Sequence, residues 1–425
     1  MRKLSRLAFA ALIAAAVAVP AGAEDGVTES EIVLGSHTAL SGPVSAWGVG
    51  STEGTRMRFD EANEKGIHGR KIRFVVEDNQ YQVPRAVQAA NKLINNDKIF
   101  AMLGALGTPM NNAVLGEQLA KGVPNLFPFT AARSMAEPFH KLKFAQFSTY
   151  YDQVRSSIKY LAEKEGKKKI CSMYQDTDFG HEIRDAVKDE AAALKLELAA
   201  EASYGPTDTD FVAPVSKLKS AGCDLVVMGS IIRDSIQAVG TARKLGWSEM
   251  TLVGQAASYD PIVAAAPGGI MEGFYSGTGM PFAYADTSSE AIKAWAGKYK
   301  AKTGQDPNSA AQYGYVGADI IVKALDAAGK DLTRAKFLAA LEAISDYKPL
   351  FPGPSLSYGP DKHQGSTATL LAKVEAAAGR SSPRTCSTER IGQANMQMGG
   401  CGRPWFQQAG SCGAAARATG PRARN

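Results

Sequence analysis

Three observations predict an α/β protein built as two lobes with parallel sheets. Short apolar runs alternate with amphipathic stretches, the 425 residues suffice for two cores, and three junctions interrupt the alternation. The runs Ile32–Gly35, Ile72–Val76, Ile99–Leu103, Ile170–Tyr174, Leu225–Gly229 and Leu252–Gly254 read as buried strands. Trp47–Asn63, Pro84–Asn96, Asn111–Lys121, Val154–Glu165, Glu182–Leu194, Phe211–Ala221 and Ser235–Leu245 read as amphipathic helices. Such alternation implies right-handed crossovers, hence parallel strands with helices on both faces.

The junctions are a polar turn at 144–150, a Gly-rich stretch at 268–281, and Leu350-Phe351-Pro352-Gly353-Pro354. Three junctions imply three crossings between the lobes. The expected division is 24–145 plus 275–352 for the N-terminal lobe and 146–274 plus 353–375 for the C-terminal lobe.

Residues 1–23 read as a signal peptide. Arg2, Lys3 and Arg6 precede the apolar run Leu7–Val19, and Ala21-Gly22-Ala23 offers small residues for cleavage. That run is shorter than the ~20 apolar residues of a membrane-spanning helix. Export to the periplasm is therefore expected. The tail, 376–425, differs in kind. It holds seven Arg, no Lys and one acid, with no hydrophobic periodicity, and no fold is expected for it. It reads either as a flexible basic appendage or as the product of a reading-frame shift in a GC-rich gene. Between these ends, residues 24–375 carry 38 basic and 41 acidic side chains, so the pI near 8.9 does not describe the body. No basic face for nucleic acid is indicated. Of five cysteines, only Cys171 and Cys223 lie in the body. They read either as a disulfide in an oxidising compartment or as buried thiols beside apolar strands.

Catalytic signatures are missing: there is no phosphate loop, no Gly-x-Ser-x-Gly elbow and no His-Glu-x-x-His pair. His37, His68, His140, His181 and His363 are scattered, and no metal or cofactor site is indicated. Gly48-Val49-Gly50 resembles a dinucleotide turn only superficially, because no strand directly precedes it. Instead, small-residue loops follow strand ends: Ala39-Leu40-Ser41-Gly42-Pro43 leading to Trp47, Gly104-Ala105-Leu106-Gly107-Thr108-Pro109, Pro128-Phe129-Thr130-Ala131, and Asp176-Thr177-Asp178-Phe179-Gly180. Open α/β sheets bind ligands where such loops meet helix N-termini. Each loop alone reads as an N-cap, with Thr108 and Thr130 as capping residues. Four together point to a shared cleft.

Glu31-Ile32-Val33-Leu34-Gly35 followed by Leu40-Ser41-Gly42-Pro43 resembles the opening of the periplasmic leucine/isoleucine/valine-binding proteins, the type I solute-binding proteins of ABC importers. Asn91-Lys92-Leu93-Ile94, Asp176–Gly180, Thr209-Asp210-Phe211, Leu218–Asp224 and Tyr313-Gly314-Tyr315 extend the likeness over 31–374. The resemblance implies two Rossmann-like lobes, a three-segment hinge and a ligand closed between the lobes. It also implies a monomeric binding protein rather than an enzyme, partnered by a membrane permease. It places Trp47 on the pocket wall, Thr108 and Thr130 on a ligand carboxylate, and Phe179 in the opposite lobe. Two positions depart. The family's pocket tyrosine falls on Ile231, and the acid that pairs with a ligand ammonium falls within Gln255-Ala256-Ala257.

Ala105, Leu106 and Phe129 complete the expected site, and Arg233 is a candidate charged contact. A buried ammonium without a carboxylate is costly. The expected ligand is therefore a small amino acid or a carboxylate, with one lacking an α-ammonium favoured. The rival from another class is a secreted α/β hydrolase, for which His37 is the one histidine at a cleft-facing strand end.

Overall fold

The computed structural model describes residues 24–375 and 385–393. Strand β1 (Glu31–Thr38) is buried along nearly its whole length, as a strand covered on both faces must be. Beside it lie β2 (Lys71–Asp78), β3 (Ala101–Leu103), β4 (Asn125–Leu126) and β5 (Lys143–Phe144). They form one parallel sheet in the order β2-β1-β3-β4-β5. Helices α1 (Ser45–Lys65), α2 (Val83–Asn91) and α3 (Thr108–Ala120) make the crossovers.

The chain then enters a second sheet through α4 (Tyr150–Glu165), whose N-cap Thr149 accepts the Asp152 N–H at 3.1 Å. There follow β6 (Lys169–Gln175), α5 (Asp178–Leu194), β7 (Glu197–Tyr204), α6 (Val212–Ser220), β8 (Leu225–Gly229), α7 (Ile232–Lys244), β9 (Thr251–Gly254), α8 (Pro261–Ala264) and β10 (Tyr275–Thr278). Helices α9 (Glu290–Thr303), α10 (Ser309–Ala328) and α11 (Arg334–Glu342) return to the first lobe. There Trp295, Ile320 and Phe337 share a core with Leu34, Phe59 and Phe100. Finally β11 (Ala368–Glu375) and β12 (Thr385–Gln393) complete the second sheet, in the order β12-β11-β10-β9-β8-β6-β7.

The chain passes between the sheets near 145–149, 279–283 and 363–367. At the first and third passages the backbones pair: Ala145 N–H donates to His363 O at 2.9 Å, and Ser366 N–H to Gln146 O at 3.0 Å. Two expected boundaries move. Residues 275–278, assigned above to the N-terminal lobe, form β10 of the second sheet. Residues beyond 353 remain with the first lobe through Leu356 and Tyr358, which sit in its core. The second sheet is parallel from β7 through β10, and β11 and β12 add an antiparallel edge to it. Within the tail, Thr385–Gln393 is a strand, which pairs the otherwise open edge of β11. The signal peptide and the remaining tail lie outside the described residues.

Cys171 and Cys223 form a disulfide with Cα atoms 5.8 Å apart, which removes the free-thiol alternative. It ties β6 to the turn before β8. Equivalent glycines seat the first cleft helix of each lobe. A Cβ on Gly48 of α1 would lie 2.0 Å from Ala39 O, and one on Gly180 of α5 would lie 1.9 Å from Gln175 O. Gly48 thus serves helix-to-loop packing, not a dinucleotide.

Candidate functional site

The lobes are closed on one another. Trp47 Nε1 donates to Ala257 O at 3.2 Å, Tyr81 OH to Gln175 Oε1 at 3.2 Å, and Asn112 Nδ2 to Asp178 Oδ2 at 2.8 Å. The core of the second lobe continues across the gap to Ala39, Val44, Trp47, Leu106 and Ala310. Between the lobes is a cavity of about 920 Å³, counted out to the solvent at its mouth.

Eight expected residues line it: Trp47, Leu106, Thr108, Phe129, Thr130, Phe179, Ile231 and Ala256, with Ala257 beside them. Thr108 begins α3, but it is not the cap. Gly107 holds that position at φ 100°, and the Thr108 hydroxyl lies 2.7 Å from that of Thr130. Thr130 also accepts the Ala132 N–H at 3.2 Å, a local turn bond. The pair forms one polar end. Tyr150 adjoins it, and burial pushes its phenol up to about 12, so it keeps its proton.

Three expected residues lie elsewhere. Ala105 is fully buried behind the wall, where its carbonyl accepts from Phe129 N at 2.9 Å and Asn111 Nδ2 at 2.9 Å. Arg233 points away, with Nε 2.7 Å from Asp234 Oδ1 and Nη2 3.2 Å from the carbonyls of Pro206 and Asp208. Asp234 is buried and needs that partner. The Gln255 side chain is turned inward, where Oε1 accepts from Ala257 N at 2.6 Å and Nε2 donates to Ser230 O at 2.9 Å. It shapes the turn that presents Ala256 and Ala257.

Sequence reasoning missed the hinge wall, Gln146-Phe147-Ser148-Thr149-Tyr150, together with Gln153, Tyr81 and Tyr313. Tyr313 stood inside a quoted motif, and its ring meets Trp47 edge-on at 6.3 Å, which a pocket aromatic requires. The polar residues of this wall face protein. Gln153 Nε2 donates to Ser148 O at 2.8 Å, its Oε1 accepts from Ala256 N at 2.9 Å, and Tyr313 OH lies 3.0 Å from Thr278 Oγ1.

Two electrostatic features stand out. No charged side chain lines the cavity among the described residues. The N-caps of four helices do line it: Val44 of α1, Gly107 of α3, Thr149 of α4 and Ile231 of α7. Helix N-termini carry partial positive charge and unpaired N–H groups, so they favour an anion.

The hydrolase alternative would rest on His37. His37 is fully buried beneath the cleft, and desolvation lowers its pKa to about 4, so the ring is neutral. Its Nδ1 faces Asn79 Nδ2 at 3.2 Å, not a nucleophile. Among the described residues, no group of three His, Cys, Asp or Glu side chains is placed to hold a metal ion, and no helix is long and apolar enough to cross a membrane.

Comparison with known proteins agrees with this geometry. The chain is 29% identical over 370 residues to Leu/Ile/Val-binding protein homolog 7 of Brucella suis biovar 1 (strain 1330), covering 81% of this chain and 86% of the relative. A fatty acid ABC transporter substrate-binding protein from Thermomonospora curvata superposes with a TM-score of 0.76 at 27% identity, covering 86% of this chain and 94% of the other. A substrate-binding periplasmic protein from Ralstonia solanacearum does so at 0.73 and 25%, covering 81% and 98%. Proteins of this kind bind small molecules for ABC transporters and are not enzymes. The family model for periplasmic binding proteins matches residues 31–380, and the chain belongs to that family.

Proposed function

We propose that this chain is the exported solute-binding component of an ABC importer. Its ligand would be a small monocarboxylate without an α-ammonium, held between the lobes by hinge closure. The observation that carries the ligand class is the cavity wall: four helix N-caps and the Thr108–Thr130 pair, with no acidic side chain. A buried carboxylate is stabilised by N–H and hydroxyl donors. A buried ammonium would face the positive helix ends without a counter-charge, at high cost. Trp47, Leu106, Phe129, Phe179, Ile231 and Ala256 would wrap an apolar body. The fatty acid ABC transporter substrate-binding protein from Thermomonospora curvata supports the same class, since a fatty acid is a carboxylate without an ammonium.

Closure on ligand is a population shift toward the state that binds it better. The export reading rests on the 1–23 segment, with cleavage after Ala23. Calorimetry decides the ligand class. Octanoate, benzoate and cinnamate are compared with leucine and valine at equal concentration. A heat of binding from at least one plain carboxylate, larger than from either amino acid, is expected. The names of the curated relatives favour the second reading, a branched-chain amino acid. Tight leucine binding with silence from all three carboxylates would establish it.

A further inference from the structure

Two acidic side chains of the second lobe grip backbone N–H groups of the first. The Glu182 carboxylate, on α5, accepts the Arg133 N–H at 2.9 Å and 3.1 Å through its two oxygens. Asp260 caps α8 through Ile262 N–H at 3.0 Å, and its second oxygen accepts Ser309 N–H, at the start of α10, at 3.1 Å. Neither residue lines the ligand cavity. Both are shielded in the closed form: the Glu182 side chain is 11% exposed and Asp260 is 3% exposed. We propose that Glu182 and Asp260 are proton-linked clasps, so that closing the lobes takes up protons and ligand capture strengthens toward mildly acidic pH.

A carboxylate facing water in separated lobes loses hydration when the lobes meet, which disfavours its charged form. Two or three N–H bonds offset only part of this. Glu182 faces Arg133 from the first lobe, whose charge opposes the rise. From α4 it faces Asp152, which reinforces the rise, and buried Tyr150. Among the described residues Asp260 faces no cation, and Tyr299 of α9 is a titratable group that senses it. Burial raises both carboxyls to about 7. A group with a higher pKa in the closed state binds more protons there. Closure is then least favoured above pH 7 and gains as pH falls toward the ordinary carboxylate range, by at most about tenfold per pH unit for each clasp.

The inference rests on the closing motion, not on ligand identity, so its test needs no ligand. Asn112 and Asp178 touch across the cleft at 2.8 Å, so Asn112→Cys with Asp178→Cys is introduced as a staple in the full chain, and the crosslink is verified by peptide mass spectrometry before comparison. Oxidised and reduced forms are titrated potentiometrically from pH 8 to 5.5, and their radii are measured by small-angle scattering. The oxidised form should be smaller and bind about one to two more protons near pH 6.5. That excess should vanish when Glu182→Gln and Asp260→Asn are added. Forms that differ in radius yet titrate alike overturn the clasps. Forms of equal radius overturn the closing motion, and the clasps with it.

Discussion

The two lobes face the ligand cavity with different chemistry. The first lobe presents hydroxyls at Thr108 and Thr130, the N-terminus of α3, and the rings of Trp47 and Phe129. The second presents Phe179, Ile231, Ala256 and Ala257, with its polar side chains already bonded to protein. The head-group hydroxyls therefore reside in one lobe and most of the apolar seal in the other, while each lobe brings two helix N-termini to the cavity. A ligand can be selected by the open protein through the Thr108–Thr130 pair, and closure then adds burial together with the N-termini of α4 and α7.

Removing the polar half should have the largest effect. Thr108→Val with Thr130→Val keeps the shape and deletes both hydroxyls. Hydrogen bonds to a charged group contribute about 1.5–3 kcal/mol each, so octanoate affinity should fall about a hundredfold or more. Calorimetry on a variant with an unchanged melting temperature checks this. A loss below about threefold would mean the head group sits elsewhere. Next, Ala256→Asp puts a charge in the apolar half. Octanoate affinity should drop by at least about tenfold through repulsion at close range, and leucine should gain, because its ammonium acquires a partner. If leucine stays silent in the same titration, the amino end is not met by this lobe. Phe179→Ala, a change in bulk alone, should cost about tenfold in affinity, from about 1.5 kcal/mol of lost burial at the lower end for such a side chain. Stopped-flow should assign the loss to faster dissociation.

Much of the fold was legible because buried parallel strands are continuous apolar runs: Leu225–Gly229 is β8 to the residue. Strands β4 and β5 have two residues each and leave no periodic trace. Helices α3, α4, α5 and α7 begin three to four residues before the expected starts. Amphipathic periodicity reports a helix face against its own core, and the first turns of these helices face the cleft instead. The same cause hid Thr149, Tyr150 and Gln153, which the hinge brings to the pocket from a stretch without small-residue loop character. Arg233 misled for a different reason. Its neighbour Asp234 is buried and takes the guanidinium as partner, a pairing that sequence adjacency does not disclose.

The smallest effect belongs to the bond that joins the halves. Trp47 belongs to the first lobe by its packing and to the closed state by its indole N–H, 3.2 Å from Ala257 O. Trp47→Phe keeps an aromatic ring against Phe129 and Tyr313 and deletes only the donor. A neutral hydrogen bond contributes about 0.5–1.5 kcal/mol net, so affinity should weaken between about twofold and tenfold. Because the bond exists only with the lobes together, association should be unchanged and dissociation faster by that factor. Stopped-flow with octanoate separates the two rates. A slower association at unchanged dissociation would show that the indole meets the ligand in the open protein, and would move Trp47 from sealing to capture.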